Sequence, residues 1–174
     1  MYGPPDLLLE ENFVPDPDAL FQKVVDEVDW DRSMSARLTA SFGVPYNYAQ
    51  MVYPACPMHP LLVPMVERLH ARLGVEFNNC LLNYYLDGRG KMGFHSDDTS
   101  ELRAGTGVAI VSLGYARNLT YRSRLDPEER HAFLLGSGSL LYMENVVQET
   151  WVHAIKRQRY AGPRISLTWR AFDR

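Results

Sequence analysis

From about residue 79 onward, the chain breaks into short apolar segments separated by turn signals. Residues 80–86, 92–95, 107–113, 118–124, 131–135, 139–143, 152–155 and 165–172 each read as a strand. Asp87-Gly88, Asp126-Pro127 and Gly136-Ser137-Gly138 punctuate them. A parallel sheet would need a helical crossover of about a dozen residues or more between strands, and these gaps are mostly too short for one. The pattern therefore predicts an antiparallel sandwich or jelly roll. Helical periodicity is confined to the first half. Residues 16–28 carry Leu20, Phe21, Val24, Val25 and Val28 at helical spacing, with Asp16 placed to cap and Pro17 in the first turn. Residues 59–73 carry Leu62, Met65, Val66 and Leu69 and end at Gly74, while Pro64 is awkward unless it marks the true first turn. Residues 36–53 read as strands around a Gly43-Val44-Pro45 turn. The expected class is mainly β with flanking helices, an α+β arrangement. A length of 174 residues suits one domain over 1–174.

Chemistry concentrates in His95-Ser96-Asp97, followed by His153 and then Arg164 on a strand-like run. Residues i and i+2 of a strand point to one side, so His95 and Asp97 can reach one metal ion from a single strand end. His153 must arrive on a neighbouring strand. Two imidazoles and one carboxylate suit non-haem Fe(II) and leave part of the coordination sphere open. No thiolate joins the set, which argues against structural zinc. An H-x-D tripeptide alone is common, and a surface pair plus a satisfied core histidine is the plain alternative. The downstream histidine, the arginine and the upstream Asn83-Tyr84-Tyr85 favour the metal.

Composition excludes some classes. No apolar run approaches a membrane span, and the N-terminal residues lack a basic-then-apolar leader pattern, so a cytoplasmic protein is expected. Cys56 and Cys80 are too few and too separate for a disulfide framework. Net charge is −3, which weighs against a nucleic-acid substrate. Residues 88–174 nevertheless carry a basic excess that includes Arg117, Arg122, Arg124, Arg130, Lys156, Arg157 and Arg159. Whether these form one patch is open at the level of sequence.

Seven pieces in order resemble the AlkB-type Fe(II)/2-oxoglutarate dioxygenases. They are Ala36-Arg37-Leu-Thr, Pro45-Tyr46-Asn-Tyr48, Phe77 to Tyr85, His95-Ser-Asp97-Asp98, Gly138 to Met143, Gln148-Glu-Thr-Trp151-Val-His153, and Pro163-Arg164-Ile-Ser-Leu-Thr-Trp-Arg170. The resemblance spans roughly residues 36–172. It implies a double-stranded β-helix, a distorted jelly roll, over 79–172, with an N-terminal helix and a substrate-side flap at 36–53. It implies Fe(II) as cofactor, with 2-oxoglutarate and O2 as co-substrates, and His95, Asp97 and His153 as iron ligands. Arg164 matches the arginine that grips the distal carboxylate of 2-oxoglutarate, and Asn83, Tyr85, Ser166 and Arg170 match its other contacts. Arg37, Tyr46, Tyr48 and Asp98 match substrate-side positions around a flipped base.

The reaction implied is oxidative demethylation of N-alkylated bases in DNA or RNA, releasing formaldehyde, succinate and CO2. The alternative is a same-fold oxygenase that hydroxylates a small molecule or a protein side chain. Related halogenases lack the metal carboxylate, so Asp97 speaks for hydroxylation. Ser166 stands where many members have asparagine, Ser41-Phe42-Gly43 where Tyr-Gly is usual, and Glu144-Asn145 where a small-residue turn is typical. These departures bear on substrate more than on cofactor. A monomer without membrane attachment is expected.

Overall fold

Two apolar interfaces hold the molecule, one on each face of a six-stranded sheet. The computed structural model describes residues 3–48 and 51–174, with the side chain of Tyr48 outside that set. In chain order the elements are β1 (Leu7–Glu10), α1 (Pro17–Glu27), β2 (Leu38–Gly43), β3 (Tyr46–Tyr48), β4 (Met51–Tyr53), α2 (Val63–Leu73), β5 (Asn79–Tyr85), β6 (Met92–His95), β7 (Gly107–Gly114), β8 (Arg117–Ser123), β9 (Arg130–Leu135), β10 (Leu140–Glu144), α3 (Val147–Thr150), β11 (Trp151–Ile155) and β12 (Arg164–Arg170).

The large sheet runs β1-β10-β7-β12-β5-β2 and the small sheet β6-β11-β8-β9. Every pairing is antiparallel. Two facing antiparallel sheets of this kind make the jelly roll that the short-strand pattern predicts. Strand alternation then divides the residues of β12. Ile165, Leu167 and Trp169 pack on the helix side with Val24, Leu62, Met65 and Leu69. Arg164, Ser166, Thr168 and Arg170 point the other way, into the space between the sheets. Each large apolar side chain buried in this way contributes about 1.5–3 kcal/mol, so the helix-side core can carry the polar inner face that the site needs.

The helices begin where proline permits. Pro17 opens α1, where its missing N–H costs no hydrogen bond. Asp16 lies in the left-handed region at φ 49° and makes no side-chain cap, contrary to the capping role expected from sequence. Residues 59–73 were expected as one helix, but α2 starts only at Val63 and has Pro64 in its first turn. A proline ring further inside would clash with the carbonyl four residues back, so the helix cannot extend toward His59. Gly74 ends α2 in the left-handed conformation at φ 69°. Close packing of α1 on β7 also depends on a glycine. Gly114 has φ 86°, and a Cβ there would stand 2.5 Å from Pro163 O and 2.9 Å from a ring carbon of Phe21.

Strand boundaries match the expected ones within two residues, but two elements carry no clear sequence signal. β1 is a continuous Leu7-Leu-Leu run with no alternation, and it pairs with β10 at the sheet edge. α3 is a single turn before β11. The segment 36–53 is not one unit. β2 joins the large sheet beside β5, with Leu38, Thr39 and Ala40 buried, and only the β3–β4 hairpin stands outside both sheets. The jelly-roll sheets therefore also draw on β1 and β2, upstream of residue 79. Among the described residues no helix is long and apolar enough to cross a membrane.

Candidate active site

His95 and His153 face each other across the small sheet, paired in the register of β6 and β11. Their ring centroids are 4.4 Å apart. The Nδ1 of His95 lies 2.8 Å from Gly93 O. A carbonyl only accepts, so Nδ1 carries the proton and Nε2 is the nitrogen able to ligate. His153 is buried, and its Nδ1 has no hydrogen-bond partner within the protein. Burial, reinforced by His95, pushes its pKa down to about 3 against the opposing pull of Asp97. The imidazole is neutral at physiological pH, which is the form that binds a metal.

β6 ends at His95, so strand geometry does not itself place Asp97. Two other contacts do. The Arg170 Nε donates to Asp97 Oδ2 at 2.9 Å, and both side chains are almost fully buried. The Asp97 backbone N–H donates to Gln148 Oε1 at 3.1 Å. Burial alone would raise the Asp97 carboxyl, but Arg170, His153 and His95 outweigh it and hold the group below the usual carboxylate range. Ligand atoms of His95, Asp97 and His153 all lie within 4.8 Å of one another. Two nitrogens and one carboxylate oxygen in this compass fit one face of a six-coordinate Fe(II). Neither thiol competes as a ligand, because Cys80 is buried on the helix side of the large sheet and Cys56 lies outside the cluster.

The opposite wall is the large sheet. Arg164 lies across from Tyr85, and Ser166 lies between Asn83 and Ser112. All but Ser112 line the same cavity as His95, Asp97 and His153. Arg164 Nη2 donates to Ser112 Oγ at 3.0 Å, while its buried Nε and Nη1 have no hydrogen-bond acceptor within the protein. Burial lowers its pKa to about 10, which still leaves it cationic. Asn83 Oδ1 accepts from Arg37 Nε at 2.8 Å, and its buried Nδ2 has no partner. An arginine only donates, so this bond forces the amide to present Nδ2 as a donor. Buried donors left unpartnered cost about 1–3 kcal/mol each. A carboxylate entering here would satisfy them, and the donor set fits the distal carboxylate of a dicarboxylic keto acid.

Of the remaining residues singled out in the sequence, none that the structure describes is part of the lining of this cavity. Tyr46 lies beneath the Arg170 guanidinium at 4.6 Å and near Phe172 at 5.4 Å. Arg37 is buried and donates to Asn83, which lines the cavity. Asp98 is exposed, and its carboxylate accepts from the Ser100 N–H at 2.9 Å, outside the cavity wall. The Tyr48 side chain lies outside the described residues. Three contributors carried no assigned role in the sequence reading: Ser112, Gln148 and Tyr121, whose ring packs 5.5 Å from His153. Only the i, i+2 inward register of β7 and β8 could have flagged Ser112 and Tyr121.

Gln148 carries a testable role as a positioning residue. Its Nε2 is 3.3 Å from Met143 Sδ, so the amide is braced at both ends. Gln148→Leu is expected to weaken metal affinity by about 10- to 100-fold, as loss of an outer contact to a ligand does, with 2-oxoglutarate binding at saturating metal unchanged. Metal titration followed by Co(II) absorbance measures the first, and isothermal titration of the Co(II)-loaded protein measures the second. An unchanged metal affinity removes the role.

A family profile described as the 2OG-Fe(II) oxygenase superfamily matches residues 18–170. The chain belongs to the 2OG-Fe(II) oxygenase superfamily. Its relatives set this oxygenase on the AlkB-like branch. It is 30% identical over 173 residues to a Bos taurus protein named alpha-ketoglutarate-dependent dioxygenase alkB homolog 3, covering 88% of this chain and 60% of the relative. It is 28% identical over 176 residues to the Homo sapiens DNA oxidative demethylase ALKBH2, covering 88% and 67%. The chain thus spans about three-fifths of the length of the alkB homolog 3 relatives. A solved structure titled OsALKBH1 superposes with a TM-score of 0.67 over 98% of this chain and 100% of that one, at 16% identity, which is a likeness of fold. Family membership implies Fe(II), 2-oxoglutarate and O2, and the donor sets on the two cavity walls are of the kinds that the metal and the keto acid require.

Proposed function

We propose that this oxygenase oxidatively demethylates N-alkylated bases in DNA or RNA. The observation that carries the oxygenase chemistry is the pairing, in one cavity, of the His95–Asp97–His153 cluster with the two unpartnered donors of Arg164 on the facing sheet. Support for the substrate class comes from a relative named as a DNA oxidative demethylase, 28% identical over almost nine-tenths of the chain. When bound, Fe(II) with 2-oxoglutarate and O2 supplies the oxidising power, converting the keto acid to succinate and CO2 and a substrate C–H to C–OH. Arg164 and Asn83 hold the distal carboxylate, and Arg170 holds the Asp97 carboxylate in its ligating orientation. Apolar side chains such as Met92, Leu119 and Ile155 line the reacting space and keep water sparse. A hydroxylated N-methyl group then collapses to the free amine and formaldehyde.

Tyr46, fixed by Arg170 and close to Phe172, offers a ring on which a flipped base stacks, worth about 1–3 kcal/mol. We place the reaction in a reducing cytoplasm, where Fe(II) is maintained and the free thiols Cys56 and Cys80 persist. The test is formaldehyde release from 1-methyladenine and 3-methylcytosine in DNA and RNA strands, with succinate followed in parallel. Formaldehyde that depends on the methylated strand is the expected result. Succinate with no strand-dependent formaldehyde moves the substrate to small molecules or protein side chains.

A further inference from the structure

The outer face of the small sheet gathers cations around one aromatic ring. Alternation turns His95, His153 and Tyr121 inward, so Phe94, Arg122 and Arg130 emerge on the opposite face, where Arg122 sits between Val152 and Arg130 in the strand register. The Arg122 guanidinium lies 4.1 Å from the Phe94 ring centroid, Lys156 Nζ 5.5 Å and the Arg130 guanidinium 5.9 Å. Arg124 continues the row and donates to Ser96 Oγ, between the ligand residues His95 and Asp97. Among the described residues none of these four cations makes an ion pair. The neighbouring Glu129 engages His131 instead, at 3.4 Å.

Three like charges converging on one ring repel each other, and among the described residues no ion pair offsets them. An aromatic face attracts each cation weakly while leaving most N–H donors open. Such a surface is organised for an external anion with several charges. Its position adds direction. The chain is acidic overall at −3, and helix α1, with Asp18, Asp26 and Glu27 against Lys23, packs on the far side of the large sheet from this cluster.

We propose that this face is a phosphate-binding track for the backbone of the nucleic-acid strand whose base enters the cavity. Arg122, Arg130 and Lys156, gathered around the Phe94 ring, seat the phosphates, and Arg124 leads the strand to the mouth of the site. Arg117, by contrast, is fully buried and donates to Gly90 O and Lys156 O, so it is a structural cation outside the track. The track rests on the proposed nucleic-acid substrate and specifies which surface meets the strand.

The test compares wild type with the triple variant Arg122→Gln, Arg130→Gln, Lys156→Gln. Binding of an unmodified single-stranded oligonucleotide is followed by fluorescence anisotropy across a salt series, and turnover is measured on a methylated oligonucleotide and on the matching phosphate-free nucleoside. The expected result is a Kd raised about tenfold or more at low salt and a log-log salt slope shallower by about 2, the share of three lost contacts on a single strand. Nucleoside turnover stays within about twofold, which also reports an intact fold, and Arg130→Gln alone shows a smaller loss in the same direction. An unchanged Kd and slope overturn the track while leaving demethylation standing. Binding that the triple variant loses, with no formaldehyde from any methylated strand even in wild type, overturns the demethylase reading while the track stands. Wild type that binds phosphatidylserine vesicles but no oligonucleotide overturns the track in favour of a membrane surface.

Discussion

Replacing His95 with alanine is expected to abolish strand-dependent formaldehyde and succinate formation. The change removes one of the three candidate metal donors. Loss of outer contacts to a metal ligand already costs about 10- to 100-fold in affinity or activity, so loss of the ligand itself is expected to exceed a hundredfold. The fold should survive, because the His95 side chain is one-quarter exposed and sits at the end of β6. Thermal unfolding of the metal-free variant near that of wild type would show this. Co(II) titration would then show weaker binding and an altered visible spectrum. Retention of full turnover with a normal spectrum would remove His95 from the ligand set.

Arg164→Lys has the next largest expected effect, and it acts on a different parameter. Lysine keeps the charge but loses the planar fork that meets a carboxylate with two parallel hydrogen bonds. Losing one charge-assisted bond costs about 1.5–3 kcal/mol, a rise of roughly 10- to 100-fold in the KM for 2-oxoglutarate. Metal affinity should change little, since Arg164 stands on β12 of the large sheet, across the cavity from His95 and His153 on the small one. The same inner face explains why the loss is steep. Ser112 takes one donor of the fork at Nη2, and a point-like ammonium cannot reproduce the planar geometry with which the remaining donors meet a carboxylate. Equal effects on keto acid and metal would mean that the substitution had disturbed the whole cavity.

Several elements were legible because their signals are local. Pro17 and Gly74 marked helix ends, and the apolar run over 165–172 marked a strand. His95, Asp97 and His153 were expected together from residue type and order, and the structure brings their donor atoms within 4.8 Å of one another. The expectation that His95 and Asp97 would share a strand was only half met. β6 stops at His95, and Arg170 with Gln148, both distant in sequence, hold Asp97 in place. β1 and α3 were not visible, because a leucine run and a single helical turn have no periodicity until a neighbour selects one.

The sequence by itself determined the antiparallel β class, the position of the helices and the donor types of the site, because each of these depends on residue chemistry and short-range spacing. Tertiary structure alone decided the rest. It buried Arg170 against Asp97, turned the Asn83 amide by way of Arg37, and left two donors of Arg164 open to the cavity. It also sorted the basic residues of the second half, sending Arg117 into the interior and drawing Arg122, Arg130 and Lys156 around Phe94. These outcomes depend on which residues meet across strands tens of positions apart. Charge, desolvation and hydrogen-bond geometry act on those contacts, and sequence spacing does not encode them.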